Sequence, residues 1–180
     1  SSQYPFAPNL PDLVAAIFDL VRDAATWLIT WTTYGTWLPG DQRGWRNRRG
    51  GEQLPQPLLE DWCRRQLKGE SVLLAVKDCK SVETAVQRHC QRRGWQLFAV
   101  AARTNHVHVV VGAADTKGQT IRDQLKANCT RELRQQSGPL NAERTWTRGG
   151  DCELLADDDN IVAAVEYVLE AQDRKGRDRN

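Results

Sequence analysis

The segment Asn105-His106-Val107-His108-Val109-Val110-Val111 constrains this chain more than any other. β-Branched side chains crowd an α-helix and sit well on a pleated surface, so Val107 to Val111 predict a strand. Side chains alternate across the pleat, so His106 and His108 share one face while Val107, Val109 and Val111 share the other. The valine face belongs in a core. The imidazole face offers two nitrogen donors on rigid backbone, spaced to grip one divalent ion. The chain has only three histidines, so the pairing is not a by-product of abundance. An ordinary amphipathic strand with two polar residues on its wet face would read the same way, and the rest of the chain decides between the two.

Periodicity organises that remainder. Leu10 to Ala25 reads as an amphipathic helix, with Pro11 suited to its first turn. Thr26 to Leu38, rich in Trp and Thr, predicts a strand ended by Pro39-Gly40-Asp41, and Gln42 to Pro57 is a long connection without periodicity. Leu58 to Lys68 predicts a short helix, and Ser71 to Val76 is a short apolar run of either type. Ser81 is expected to cap a helix through Arg93, with Val82, Ala85, Val86, His89 and Cys90 inward and Gly94 as its stop. Trp95 to Arg103 is apolar on both faces and so predicts a central strand, followed at once by the histidine strand. Thr120 to Gln136 predicts a helix lined by Ile121, Leu125, Cys129 and Leu133. Thr145 to Leu155 reads as a strand, and Asp157 to Asn160 cap a last helix through Gln172.

The order strand, helix, strand, strand, helix, strand is β-α-β-β-α-β, the ferredoxin-like arrangement. It predicts an α+β fold with an antiparallel sheet, two helices on one face, an extra N-terminal helix and a C-terminal helix free to cover the other face. The expected divisions are a helical extension over 1–25, a single domain over 26–173 and a basic tail over 174–180.

Composition excludes several classes. Hydrophobic residues make up 40% and charged residues 27%, an ordinary globular profile, and no apolar run approaches the length of a membrane span. Five cysteines, at 63, 79, 90, 129 and 152, form no CxxC pair, which argues against a zinc knuckle or a disulfide framework and for free thiols in a reducing cytoplasm. The net charge of +2 says little, but arginines cluster: Arg43, Arg46, Arg48 and Arg49 against one acid, then Arg64 and Arg65, then Arg88, Arg92 and Arg93. Clustered arginines beside tryptophans suit phosphate contact and base stacking. No P-loop motif is present.

Two imidazoles suit a transition metal or, with an oxygen donor added, Mn²⁺ or Mg²⁺. Of three tyrosines, Tyr167 lies in the last helix, away from the stripe formed by Ile161, Val162, Val165, Val168, Leu169 and Gln172. An aromatic off the apolar stripe of its helix is either packed against a neighbouring element or used for chemistry.

Together, Asn105-His106-Val107-His108, the downstream Tyr167 and the opening Trp31-Thr32-Thr33-Tyr34-Gly35-Thr36-Trp37-Leu38 resemble the single-tyrosine HUH transposases, and among them the REP-associated tyrosine transposases. The resemblance runs from Thr26 to Gln172. It implies cleavage and rejoining of single-stranded DNA at hairpin-forming palindromic repeats, through a 5′-phosphotyrosine on Tyr167 and an Mg²⁺ or Mn²⁺ ion held by His106 and His108. The family places a Gln or Asn four residues after the tyrosine as a third ligand; here that position is Ala171. Gln172 is one position late, roughly 140° from the tyrosine on an unbroken helix, and is expected to serve as third ligand, with Glu170 as the alternative. Candidate DNA contacts are Arg43, Trp45, Arg46, Arg48 and Arg49, with Trp37 and Lys126 beside them. The implied setting is cytoplasmic and nucleoid-associated, as monomer or homodimer. A hairpin-binding protein that does not cleave, or a metal-dependent phosphodiesterase that uses water, are the competing expectations.

Overall fold

The computed structural model describes residues 24–47, 51–137 and 144–171. The expected N-terminal helix, Arg48, Arg49, Gln172 and the basic tail lie outside them. Strand β1 spans Ala25–Thr32, β2 Trp45–Asn47 and β3 Gly51–Gln53. Helix α1 spans Pro57–Arg65 and α2 Val76–Arg93; β4 is Gln96–Ala102 and β5 His106–Ala113. Helix α3 spans Gly118–Ser137, β6 Asp151–Leu155 and α4 Asp158–Glu166, which runs into a π-helical turn over Tyr167–Ala171. The core β1-α2-β4-β5-α3-β6 is the ferredoxin-like α+β fold that the order of elements predicts. Its sheet has the order β4-β5-β1-β6 with antiparallel neighbours throughout.

Alternation decides which way each strand faces. Val107, Val109 and Val111 are fully buried with Ile29 and Trp31, beneath Val82 and Val86 of α2 and Ile121, Leu125 and Leu133 of α3. Burying side chains of this size contributes roughly 1.5–3 kcal/mol each, so a one-residue slip of β5, which would exchange valines for histidines, is strongly disfavoured. A second, smaller core lies on the opposite face, where Ile161, Ala164 and Val168 pack on Ala99, Ala101 and Val110.

Several expectations change. Strand β4 is an edge, not a centre: it is apolar on both faces because α2 covers one and α4 with its π turn covers the other. Helix α2 starts five residues before Ser81, at an Ala75 N-cap whose N–H donates to Asp78; Ser81 lies inside, donating to Lys77 O at 2.9 Å. The connection after β1 contains the β2–β3 hairpin. Only Asp151–Leu155 of the expected last strand is regular; Trp146 makes an isolated bridge to Thr33. The stripe of the last helix is Ile161, Ala164 and Val168, while Val162 and Leu169 are exposed. Tyr167 therefore packs beside the buried stripe rather than away from it. Among the described residues no helix is long and apolar enough to cross a membrane.

Candidate active site

The register of β1 against β5 opposes Thr30 to His108 and Thr32 to His106, so these four side chains share the face away from α2 and α3. The imidazole rings of His106 and His108 are 4.8 Å apart and nearly perpendicular. The Tyr167 ring stands edge-on to His108, with centroids 5.6 Å apart. Its backbone is positioned by the small apolar core just described, and by an N-terminal cap in which Asp157 accepts from Asn160 N at 2.8 Å.

Each histidine is oriented through Nδ1. Thr30 Oγ1 lies 2.8 Å from Nδ1 of His108, and Asn105 Oδ1 lies 2.7 Å from Nδ1 of His106. With Nδ1–H donating to the hydroxyl or amide oxygen, the lone pair of a neutral imidazole resides on Nε2. That is how metal-ligating histidines are held, with the outer partner fixing tautomer and ring angle. Burial pushes the His108 pKa down to about 3, with the charges of His106 and Arg103 adding to the effect. His108 is thus neutral near pH 7 and able to act as a ligand.

The donor set suits a divalent ion in part. Among the described residues no three His, Cys, Asp or Glu side chains gather as a metal cluster. The two imidazoles therefore form a half-site open to an oxygen donor from outside that set, since Gln172 and the side chain of Glu170 are not described.

Beside this face runs an open groove of about 1000 Å³, bordered by Thr30 and Thr32 on one side, by the β2–β3 hairpin on another and by Arg148, Gly149 and Gly150 on a third. Of the expected DNA contacts, Trp37, Arg43, Trp45 and Arg46 line it. Their states differ. Arg46 is exposed and reaches across to Asp151 at 3.2 Å. Arg43 donates to both Asp41 oxygens, holding that carboxyl below its ordinary value, and lies 4.9 Å over the Trp37 ring. The indole of Trp45 donates to Leu54 O.

Lys126 does not line the groove. Its ammonium donates to Thr147 O and Gly149 O, each at 2.7 Å, and burial lowers its pKa to about 8. It braces the wall from behind, whereas Arg122 lines the groove itself and donates to Gly150 O at 3.0 Å. Thr30, Arg122 and Arg148 went unnoticed in the sequence. The alternation of Thr26, Thr30 and Thr32 with Trp27, Ile29 and Trp31 was a signal for the first of them.

No family model and no curated protein matches this sequence. A solved structure of a REP-associated tyrosine transposase bound to a REP hairpin is similar to it over 98% of this chain and 75% of that one. The TM-score is 0.48 and the identity 15%.

Proposed function

We propose that this chain cleaves and rejoins single-stranded DNA beside hairpin-forming palindromic repeats, with Tyr167 as the nucleophile. The observation that carries this reading is the convergence of the Tyr167 ring on the His106–His108 pair, from elements far apart in sequence, on one side of the sheet. A phenol beside two oriented neutral imidazoles, next to a groove with exposed arginines and an exposed tryptophan, suits attack on a nucleic-acid phosphate.

His106 and His108 would hold Mg²⁺ or Mn²⁺ through Nε2, and such an ion supplies Lewis-acid polarisation of a phosphate oxygen. Gln172 is the proposed third donor. In support, the π turn that begins at Tyr167 joins positions five apart, which brings such positions nearer one face than an α-helix does. Arg46 and Arg148 would hold neighbouring phosphates. The Tyr167 phenol gives up its proton and its oxygen bonds to phosphorus as the P–O3′ bond breaks. The departing oxygen takes up a proton and becomes a free 3′-hydroxyl, leaving a 5′-phosphotyrosine. Attack by a 3′-hydroxyl on that linkage reverses the step and joins strands without nucleotide hydrolysis.

The test is an SDS-stable adduct between the protein and an oligonucleotide carrying a hairpin and single-stranded flank, formed with Mn²⁺ or Mg²⁺ and absent with chelator. Tyr167→Phe is expected to bind the same oligonucleotide and form no adduct. An adduct that survives the substitution removes Tyr167 from the role. Because no third His, Cys, Asp or Glu joins the pair among the described residues, a non-cleaving hairpin-binding protein is the second reading, and tight binding without adduct or cleavage in any metal would establish it. Cleavage without an adduct, unaffected by Tyr167→Phe, would instead indicate attack by water.

A further inference from the structure

The turn after β1 is closed by two threonine hydroxyls that the strand-transfer chemistry does not use. We propose that Thr33 and Thr36 are positioning residues for the imidazole of His106, acting through Asn105. The inference rests on the metal half-site proposed above and gives that site a layer of support beyond Asn105.

Asn105 stands just outside the sheet. The ladder between β1 and β5 ends where Thr32 opposes His106. The residue whose Oδ1 meets His106 Nδ1 at 2.7 Å therefore belongs to the connection from β4. A side chain in a connection can hold a ring angle only if its own backbone is fixed. Here the fixing comes from across the sheet. Thr33 N and Thr33 Oγ1 both donate to Asn105 O, at 2.9 and 3.2 Å. On the β4 side, Leu74 N donates to Thr104 O at 2.7 Å and Arg103 N to His106 O at 2.8 Å.

Thr36 completes the clamp. Its Oγ1 lies 3.0 Å from Thr33 Oγ1 and 3.0 Å from Thr33 O. A threonine has one hydroxyl proton, and giving it to either oxygen leaves the Thr33 proton for Asn105 O. The chain can fold back this far because Gly35, between the two threonines, has φ of 75°, and a Cβ there would meet Ser71 Oγ at 2.7 Å. Thr33 is fully buried, and its carbonyl also accepts from Thr147 Oγ1 at 3.0 Å. Thr36 is held from the groove side, where Arg43 donates to Thr36 O at 2.8 Å as well as to both Asp41 oxygens. An unbroken hydrogen-bonded path thus runs from a groove residue to Nδ1 of His106. The Nδ1 of His108 instead meets Thr30 inside the ladder, so separate networks orient the two imidazoles.

That separation makes the test selective. The ring nitrogens of the three histidines are read by ¹⁵N NMR in the metal-free protein at alkaline pH, where neutral imidazoles reveal which nitrogen carries the proton. Titration with Mn²⁺ follows. His106 of the parent chain is expected to be protonated on Nδ1. Thr33→Val and, separately, Thr36→Val keep the side-chain shape and remove one hydroxyl. Each is expected to move His106 towards a mixture of tautomers, to leave His108 and His89 as in the parent, and to weaken Mn²⁺ binding about tenfold, the lower end of what losing an outer partner costs. Thr36→Ser is expected to restore both readings. Thr36 is only half-buried, so its variants stand in if Thr33→Val fails to fold. An unchanged His106 in the folded variants overturns the positioning role, as does an equal change at His106 and His108, which would mark a general loosening of the sheet. Failure of Mn²⁺ to bind the parent chain overturns the metal reading instead, while the His106 tautomer still decides for or against the clamp.

Discussion

Thr30 and His108 face each other across β1 and β5, with the threonine hydroxyl 2.8 Å from the imidazole Nδ1. The threonine makes no other side-chain hydrogen bond among the described residues, so its hydroxyl serves to hold the ring angle and the tautomer of His108. Thr30→Val keeps the shape and removes that partner. Affinity for Mn²⁺, followed by calorimetric titration, is expected to fall about 10- to 100-fold, with the circular dichroism spectrum unchanged. Unaltered affinity would mean that His108 does not meet the ion through Nε2.

The same burial gives an acid-side signature. His108 has a pKa near 6.5 when unfolded and about 3 when folded, so between those values the unfolded chain binds the extra proton. Stability from this residue is complete above pH 6.5 and declines as the pH falls towards 3. His89, buried between α2 and α3 with Gln124, is shifted the same way by desolvation. Denaturant titrations from pH 8 to pH 4 should show falling stability, and His108→Leu should reduce the slope of that decline. A slope identical to the parent's would contradict the assignment.

Lys126 and Arg46 should separate cleanly by salt. Removing one phosphate-binding cation lowers the slope of log affinity against log salt by about 0.7 for a single strand. Arg46→Gln is expected to show that reduction. Lys126→Met, whose ammonium is spent on Thr147 O and Gly149 O, should weaken binding through a displaced wall while leaving the slope alone.

Gly150 has φ of 130°, and a Cβ there would lie 2.5 Å from Thr30 O. Gly150→Ala forces an unfavourable backbone and a collision with the strand that orients His108. We expect a loss of about 1–3 kcal/mol in unfolding free energy, together with weakened Mn²⁺ binding. The control is Gly51→Ala, which also has positive φ but meets nothing within 4 Å.

The histidine strand is readable because its β-branched run alternates valine with histidine at the start, which fixes both its conformation and its orientation, even though the fold buries both of its faces. Strand β4 reads as central for a long-range reason: its second face is covered by the π turn that follows α4, an element more than fifty residues away that local pattern does not place. The orientation of Tyr167 failed on one small residue. Ala164 is buried against the sheet while Val162 and Leu169 face outward, so a stripe drawn by side-chain hydrophobicity was rotated from the true one. The β2–β3 hairpin has strands of three residues, too short for alternation to register. The partnership of Thr30 with His108 depends on strand register, which is set by the fold between them rather than by either segment.

The element carrying Tyr167 meets the sheet through Ile161, Ala164 and Val168, whereas α2 and α3 bury a much longer row of side chains. Regions that bury less apolar surface open at lower free energy, so amide hydrogens in this element should exchange sooner than those of α3. A DNA end joined to the tyrosine would then sit on a lever that swings without the scaffold melting, and delivery of that end to a new acceptor becomes a matter of local undocking.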